Sequence, residues 1–163
     1  MIVFLDIDGV LNDDASYVGV YRNTPKTEAR MLSLLLPEKV ALLNRLTDAL
    51  GASLVISSYW RHPEYIAGLD VKDLLRKAGV TATIVGDTGE DLDANHPLRN
   101  KMSWYGTPKK RYKEIDRYIK AHNVQDYLVI DDGTSVKDFP PDRVIFTKDG
   151  LLKEHVARFV SKV

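Results

Sequence analysis

Ile2 to Ile7 (IVFLDI) is a short, almost unbroken apolar run, and it closes on Asp6, Asp8 and Gly9. A strand with one wet face alternates apolar and polar residues. An unbroken run reads instead as a strand covered on both faces, as in a parallel sheet. The rest of the chain alternates strand and helix signals to match. Pro37 opens an apolar-periodic segment with Val40, Leu43, Leu46 and Leu50 at helical spacing, and Gly51 follows its end. Ala52 to Ser57 (ASLVIS) reads as a second buried strand. Val71 to Ala78, after Asp70 as N-cap and before Gly79, reads as a helix. Thr83 to Val85 is a third strand. Thr107-Pro108 reads as an N-cap and first helical position, and that helix runs to about Asn123 with Tyr112, Ile115 and Ile119 as its stripe. Tyr127 to Ile130 and Val144 to Phe146 are the fourth and fifth strands, and Leu151 to Val160 is a closing helix.

This order predicts an α/β fold, a Rossmann-like three-layer sandwich with a mostly parallel sheet. Residues 1–163 read as one domain, without repeat or linker. Asp13 to Leu36 and Asp87 to Gly106 resist assignment. Each is roughly 20 residues, below the ~40 needed to fold alone, so both are expected as long loops or flaps.

Composition narrows the function classes. The formal net charge is zero, from 23 basic and 23 acidic residues, so no global field draws in nucleic acid or membrane. There is no cysteine, which excludes a disulfide scaffold, a zinc-thiolate site and a thiol nucleophile. No apolar run approaches the ~20 residues of a membrane span. MIVFLDIDG has no basic n-region, so it is not expected to be a signal peptide, and the default address is cytoplasmic.

Ligands of open α/β sheets bind at the carboxyl ends of strands. Here those ends carry chemistry. Asp6 and Asp8, two apart in extended chain, point to one side roughly 6.5 Å apart. Gly9 lets the backbone turn sharply. The second strand ends in Ser57-Ser58, followed by Tyr59, Trp60 and Arg61, and the fourth ends in Asp131-Asp132-Gly133. Carboxylates that repel one another need a cation, and Mg²⁺ fits oxygen ligands best. His62, His96, His122 and His155 are scattered without ligand spacing. Lys109, Lys110 and Arg111 bring cations to a helix start beside the fourth strand. Acids, Mg²⁺, hydroxyls and a cation together describe a phosphoryl-transfer site.

Each signal has a plainer reading. Asp-Gly after a strand is often only a turn. Ser57-Ser58 alone means nothing, a basic first turn is most often solvated, and Trp60 is more often packing than a substrate platform. Their occurrence together, in order and each at a strand end or helix start, is what favours function.

In that order the motifs resemble those of the haloacid dehalogenase (HAD) superfamily of phosphohydrolases. DIDGVLN at 6–12 is similar to its first motif, VISS at 55–58 to its second, the basic residues at 109–111 to its third, and VIDDG at 129–133 to its fourth. The nearest resemblance is to the small capless branch, including the domain of RNA-repair proteins and polynucleotide 3′-phosphatases, and SSYWR and KRYKEIDRYI contribute to it. The resemblance implies a fold and a set of roles. Asp6 is the expected nucleophile, forming an aspartyl-phosphate. Asp8 is the expected general acid and base. Ser57, or Ser58 if the strand runs one residue longer, holds a phosphoryl oxygen. Lys110 or Arg111 neutralises nucleophile and phosphate. Asp6, the carbonyl of Asp8 and Asp131 hold Mg²⁺, with Asp132 supporting that shell. Gly9, Ser58 and Arg61 are expected at the substrate.

Val85 to Asp91 competes for the fourth motif, since an acid pair also follows that strand, with Lys77 as its cation. Residues 131–132 are preferred because the competitor would end the catalytic set barely halfway along. Other functions compete as well. A receiver-like phosphoacceptor domain would carry its adjacent acid pair after the first strand, whereas here the pair comes late. A glycosyltransferase D-x-D would follow a nucleotide-binding unit, and five residues precede Asp6. A non-catalytic phosphate or Mg²⁺-binding module is separated by turnover of p-nitrophenyl phosphate. The expected partner is a phosphorylated substrate such as a nucleotide or nucleic-acid end. Lys101, Lys109, Lys110, Arg111 and Lys113, with Trp104 and Tyr105 between them, offer a basic-aromatic surface for a strand end, though a solvated loop and helix face is an equal reading.

Overall fold

The computed structural model describes residues 1–16, 25–89 and 110–160. Its strands are β1 (Ile2–Leu5), β2 (Ser53–Ile56), β3 (Ile84–Asp87), β4 (Tyr127–Asp131) and β5 (Val144–Phe146). They form one sheet in the order β3-β2-β1-β4-β5, and every pair is parallel. The first strand is therefore central, flanked by β2 and β4.

Both faces of the sheet are buried, as the apolar runs require. Val3 and Leu5, Leu54 and Ile56, Leu128 and Ile130 point into one core, with Met31, Leu43, Leu46, Leu74, Leu75 and Val156. Those partners come from α1 (Glu28–Ser33), α2 (Pro37–Leu50), α3 (Val71–Lys77) and α5 (Lys153–Val160). Phe4, Val55 and Val129 point to the other face, against Ile115 and Tyr118 of α4 (Lys110–Ala121) and Val136 and Phe139. This is the three-layer sandwich.

Two neighbouring strand ends carry that alternation beyond their last paired residues. Asp6 N–H donates to the Ile130 carbonyl (3.0 Å) and Ser57 N–H to the Leu5 carbonyl (3.0 Å). One step past Leu5 and Ile56, and level with the end of β4, Asp6, Ser57 and Asp131 take the side of Phe4, Val55 and Val129. That is the side covered by α4, so the period of the strands delivers these residues to one helix.

α2 begins and ends as expected, with Pro37 in its first turn and Gly51 left-handed (φ 56°) beyond its end. α3 is capped by the Asp70 side chain on Asp73 N–H. One expectation needs correction. Asp13 to Leu36 is not wholly a loop, because Thr27 caps a short helix at Glu28 that buries Met31. Six residues are too few for an apolar period to show. The Thr107-Pro108 start of α4 lies outside the described residues, as does most of the segment Asp87 to Gly106. Among the described residues no helix is long and apolar enough to cross a membrane.

Candidate active site

After β1 the chain reverses through Gly9, whose φ is +73°. This conformation suits glycine, and space forbids anything larger. A Cβ here would stand 2.1 Å from Asp132 Oδ2. The turn is fastened on all sides. Gly9 N–H donates to Asn12 Oδ1 (2.9 Å), and its carbonyl accepts from Thr147 Oγ1 (2.6 Å) and Gly150 N–H (2.8 Å). Gly9 was expected at the substrate. With both backbone groups engaged, it instead shapes the turn and gives Asp132 room.

The two aspartates of this turn meet different surroundings. Asp6 is buried, and one oxygen lies 3.1 Å from Arg111 Nη1. Asp8 accepts from Asn12 Nδ2 (3.0 Å) and Trp60 Nε1 (3.1 Å) on one oxygen and from the Tyr65 hydroxyl (3.4 Å) on the other. Burial pushes the Asp8 carboxyl above its ordinary range, more than these donors pull it down, and the Asp6 charge adds to the rise. A carboxyl whose proton affinity is raised by burial suits proton transfer to a leaving oxygen.

On the other side of Asp6 stand Asp131 and Asp132. Carboxylate oxygens of Asp6, Asp131 and Asp132 all lie within 4.8 Å of one another. Burial, and then the Asp6 charge, push both Asp131 and Asp132 up to about 7. Three acids so placed repel when ionised, which is the condition a dication relieves. Hard oxygen donors without nitrogen or sulfur fit Mg²⁺. The carboxyl of Asp8, by contrast, is bound to its three donors and stands outside this group of three.

Arg111, in the first turn of α4, bridges the two acids. Its Nη1 is 2.7 Å from Asp131 Oδ2 as well as 3.1 Å from Asp6 Oδ1. Burial alone would weaken its proton affinity, but Asp6, Asp131 and Glu114 outweigh that and hold it above its ordinary value. Lys110 lies 3.7 Å from Glu114 Oε1 and 5.5 Å from the Tyr59 ring centre, and burial lowers its proton affinity. The sequence left Lys109, Lys110 and Arg111 open. In the structure Arg111 touches the carboxylates, Lys110 lines the adjoining cavity, and Lys109 lies outside the described residues. That cavity, of about 440 Å³, is lined by Asp6, Asp8, Ser58, Lys110, Arg111, Asp131 and Asp132 among others.

The second strand end divides its serines. The Ser58 hydroxyl accepts from Trp60 N–H (3.2 Å) and reaches the cavity. The Ser57 hydroxyl is buried without a hydrogen-bond partner. This unmatched hydroxyl lies on the Asp6 side of the sheet, but Ser58, not Ser57, is the serine that lines the cavity. Arg61, expected at the substrate, has other partners. Its Nη1 donates to the carbonyls of Ser57 (2.8 Å) and Ser58 (3.0 Å), and its Nη2 to Glu114 (2.7 Å), with the side chain only 2% exposed. It braces the strand end from behind.

The competing acid strand falls elsewhere. β3 is at the sheet edge, separated from β1 by β2, and Asp87 accepts from Gly89 N–H (2.8 Å). Lys77 pairs with Glu28 and Asp73 at the surface. The basic-aromatic surface is only partly visible, because Lys101, Trp104, Tyr105 and Lys109 lie outside the described residues. Asn12, Tyr65 and Glu114 have no role assigned from sequence, and Trp60 reads from sequence as more often packing than a substrate platform. Trp60 is fully buried, yet its ring nitrogen serves Asp8. A weak signal existed for Glu114, which lies one helical turn from Lys110 and Arg111.

A parallel sheet with acids at the ends of its first and fourth strands, a serine at the end of its second and a cation opening the intervening helix defines a HAD-type domain. The chain belongs to the family described as the HAD domain in Swiss Army Knife RNA repair proteins, whose model matches residues 2–156. Comparisons with curated proteins and with solved structures found no match.

Proposed function

We propose that this protein is a Mg²⁺-dependent phosphomonoesterase acting through an aspartyl-phosphate at Asp6. One observation carries the reading. Asp6 and Asp8 share a turn, yet Asp6 faces Asp131, Asp132 and Arg111 while Asp8 is held by Asn12, Trp60 and Tyr65. Two carboxyl groups in such different environments suit two roles, an ionised nucleophile and a proton carrier.

A phosphoryl group in the cavity lies in front of Asp6, whose oxygen attacks phosphorus as the ester P–O bond breaks. Asp8 gives its proton to the departing oxygen. It then takes a proton from the water that attacks the same phosphorus, which frees Asp6 and releases phosphate. Arg111 and Lys110 offset the charge of the transferring oxygens, and the Ser57 or Ser58 hydroxyl donates to one of them. Asp6, Asp131 and Asp132 would hold Mg²⁺, which would offset the charge of the phosphoryl oxygens and the repulsion among these acids.

The family's description supports, as part of this proposal, a nucleic-acid substrate class. The chain's relatives are domains of RNA-repair proteins, and we place its substrate among nucleotides and nucleic-acid ends, in the cytoplasm. Turnover of p-nitrophenyl phosphate, lost in EDTA and restored by Mg²⁺, checks the reaction. Oligonucleotides phosphorylated at the 3′ or 5′ end, against nucleoside monophosphates, check the substrate. Full activity after rigorous chelation would remove the metal from the reading. Failure to turn over any phosphomonoester would leave a phosphate-binding module.

A further inference from the structure

Glu114 has no part in that reaction, yet it is fully buried at the centre of the cations around the site. A charged carboxylate in a protein core is unfavourable unless it is paired. Glu114 has three cations for company. Arg61 Nη2 donates to its Oε1 at 2.7 Å, Lys110 Nζ stands 3.7 Å away, and Arg111 Nε stands 3.8 Å from Oε2. Only the first is a close contact. Glu114 Oε2 and Arg111 Nε are both buried and without a hydrogen-bond partner, although they face each other.

Arg61 carries the connection onward. Its Nη1 donates to the carbonyls of Ser57 and Ser58, the residues that follow β2. A strut thus runs from α4 through Glu114 and Arg61 to the backbone of both serines. At its α4 end the same carboxylate lies beside Lys110 and Arg111, the two cations of the cavity. Arg111 has two sets of neighbours, Asp6 and Asp131 through Nη1 and Glu114 through Nε. Without Glu114, three cations would face one another with less negative charge between them. Lys110 and Arg111 would be drawn further toward the acids.

We infer that Glu114 is a positioning residue that ties the serine-bearing end of β2 to the phosphate-facing cations of α4, setting hydroxyls and cations in one geometry. The inference rests on the phosphatase reading for its catalytic consequence but not for the strut itself. Misplacement of about 1 Å at such a site costs up to ~10²-fold in rate. The effect belongs to the transition state and so to kcat.

Three proteins separate positioning from folding: Glu114→Gln, Arg61→Met and the double variant Arg61→Met/Glu114→Met. Each single change strands a buried charge or leaves one cation too many, and Tm should fall. The double change removes both charges, which is often neutral for stability. With p-nitrophenyl phosphate, Glu114→Gln should lose roughly 10–100-fold in kcat with KM moved less than about threefold. The double variant should recover part of the lost Tm but not kcat, because Lys110 and Arg111 still lack their shared carboxylate. Recovery of both would show a purely structural pair and overturn the inference. A second measurement reads the strut without turnover. Amide hydrogen exchange of Ser57 to Arg61 should accelerate about tenfold or more in Glu114→Gln under native conditions. Unchanged exchange overturns the inference whatever the activity. A wild-type protein with no turnover but accelerated exchange in the variant would instead sink the phosphatase reading and leave the strut standing.

Discussion

β4 and β3 both end in an aspartate after an apolar stretch, and their fates differ. β4 is an inner strand, paired with β1 and β5 and buried along most of its length, so Asp131 is carried beside Asp6 in a water-poor space. β3 is an edge strand with Val85 half exposed, and its Asp87 folds back onto Gly89 N–H. The local sequences are alike. What separates them is strand order, because a carboxylate becomes part of a cluster only when its strand neighbours another that carries one. Asp131 has its proton affinity raised by burial and by Asp6. The comparison predicts that inner and edge acids respond very differently to the same substitution.

The largest effect is expected at the inner strand. Asp131→Asn should reduce Mg²⁺-dependent turnover on the order of 10³-fold or more, since it removes one of three clustered acids and a partner of Arg111. Steady-state kinetics with p-nitrophenyl phosphate measures it, and a mild loss would break the contrast with β3. Asp8→Asn should cost ~10²–10⁴-fold, the usual worth of acid-base help. It should still give a burst of p-nitrophenol with labelled phosphate retained on the protein, because Asp6 remains. A silent burst would show that Asp6 is not the nucleophile.

Gly9→Ala comes next. Its Cβ would collide with the Asp132 carboxylate, and φ of +73° is unfavourable for alanine. Stability should fall by ~1–3 kcal/mol, and Mg²⁺ affinity roughly 10–100-fold, read by denaturation and calorimetric titration. Unaltered affinity would show that Asp132 is not needed for the ion.

Proton linkage sharpens the same contrast. Asp131 and Asp132 are raised from 3.8 to about 7 in the fold. Between those values the native protein binds more protons than the unfolded chain, so metal-free stability should decline as pH rises through that window. Mg²⁺ needs the ionised acids, so its stabilising effect should grow as pH rises through about 7. At an ion concentration near 100 times Kd, that effect is about 2.7 kcal/mol. Thermal melts in Mg²⁺ and in EDTA should therefore diverge at about pH 8 and converge at about pH 5. The smallest effect is expected at the edge. Asp87→Asn should change activity by no more than about twofold and stability by roughly 0.5 kcal/mol. A loss matching that of Asp131→Asn would move the site to residues 85–91.

Much of this arrangement is legible in the residues. The apolar runs fix a parallel sheet, and Pro37 and Gly51 bound the longest described helix. The acids of the first and fourth strands announce themselves because their alternation and their glycines are local. What stays hidden depends on distant partners. Tyr65 is far along the chain from Asp8, and no spacing rule joins them. Arg61 looks like a substrate ligand until Glu114, 53 residues away, is seen to hold it. Arg111 could not be singled out from Lys109 and Lys110, since helical phase relative to β1 and β4 decides which cation meets the acids.

The fastening of the first turn has a consequence for the growing chain. Gly9 is bound by Thr147, 138 residues later. A ribosome adding ~5–20 residues per second needs roughly ten seconds to cross that interval. Throughout it, Asp6 and Asp8 hang on a turn with neither its late anchor nor the fourth strand beside it. Closing such a long loop is slow, and contacts between remote segments come late in folding. The turn is therefore anchored only after residue 147 has been made, and a translation product that stops before β4 carries the first motif without the acids of the fourth strand.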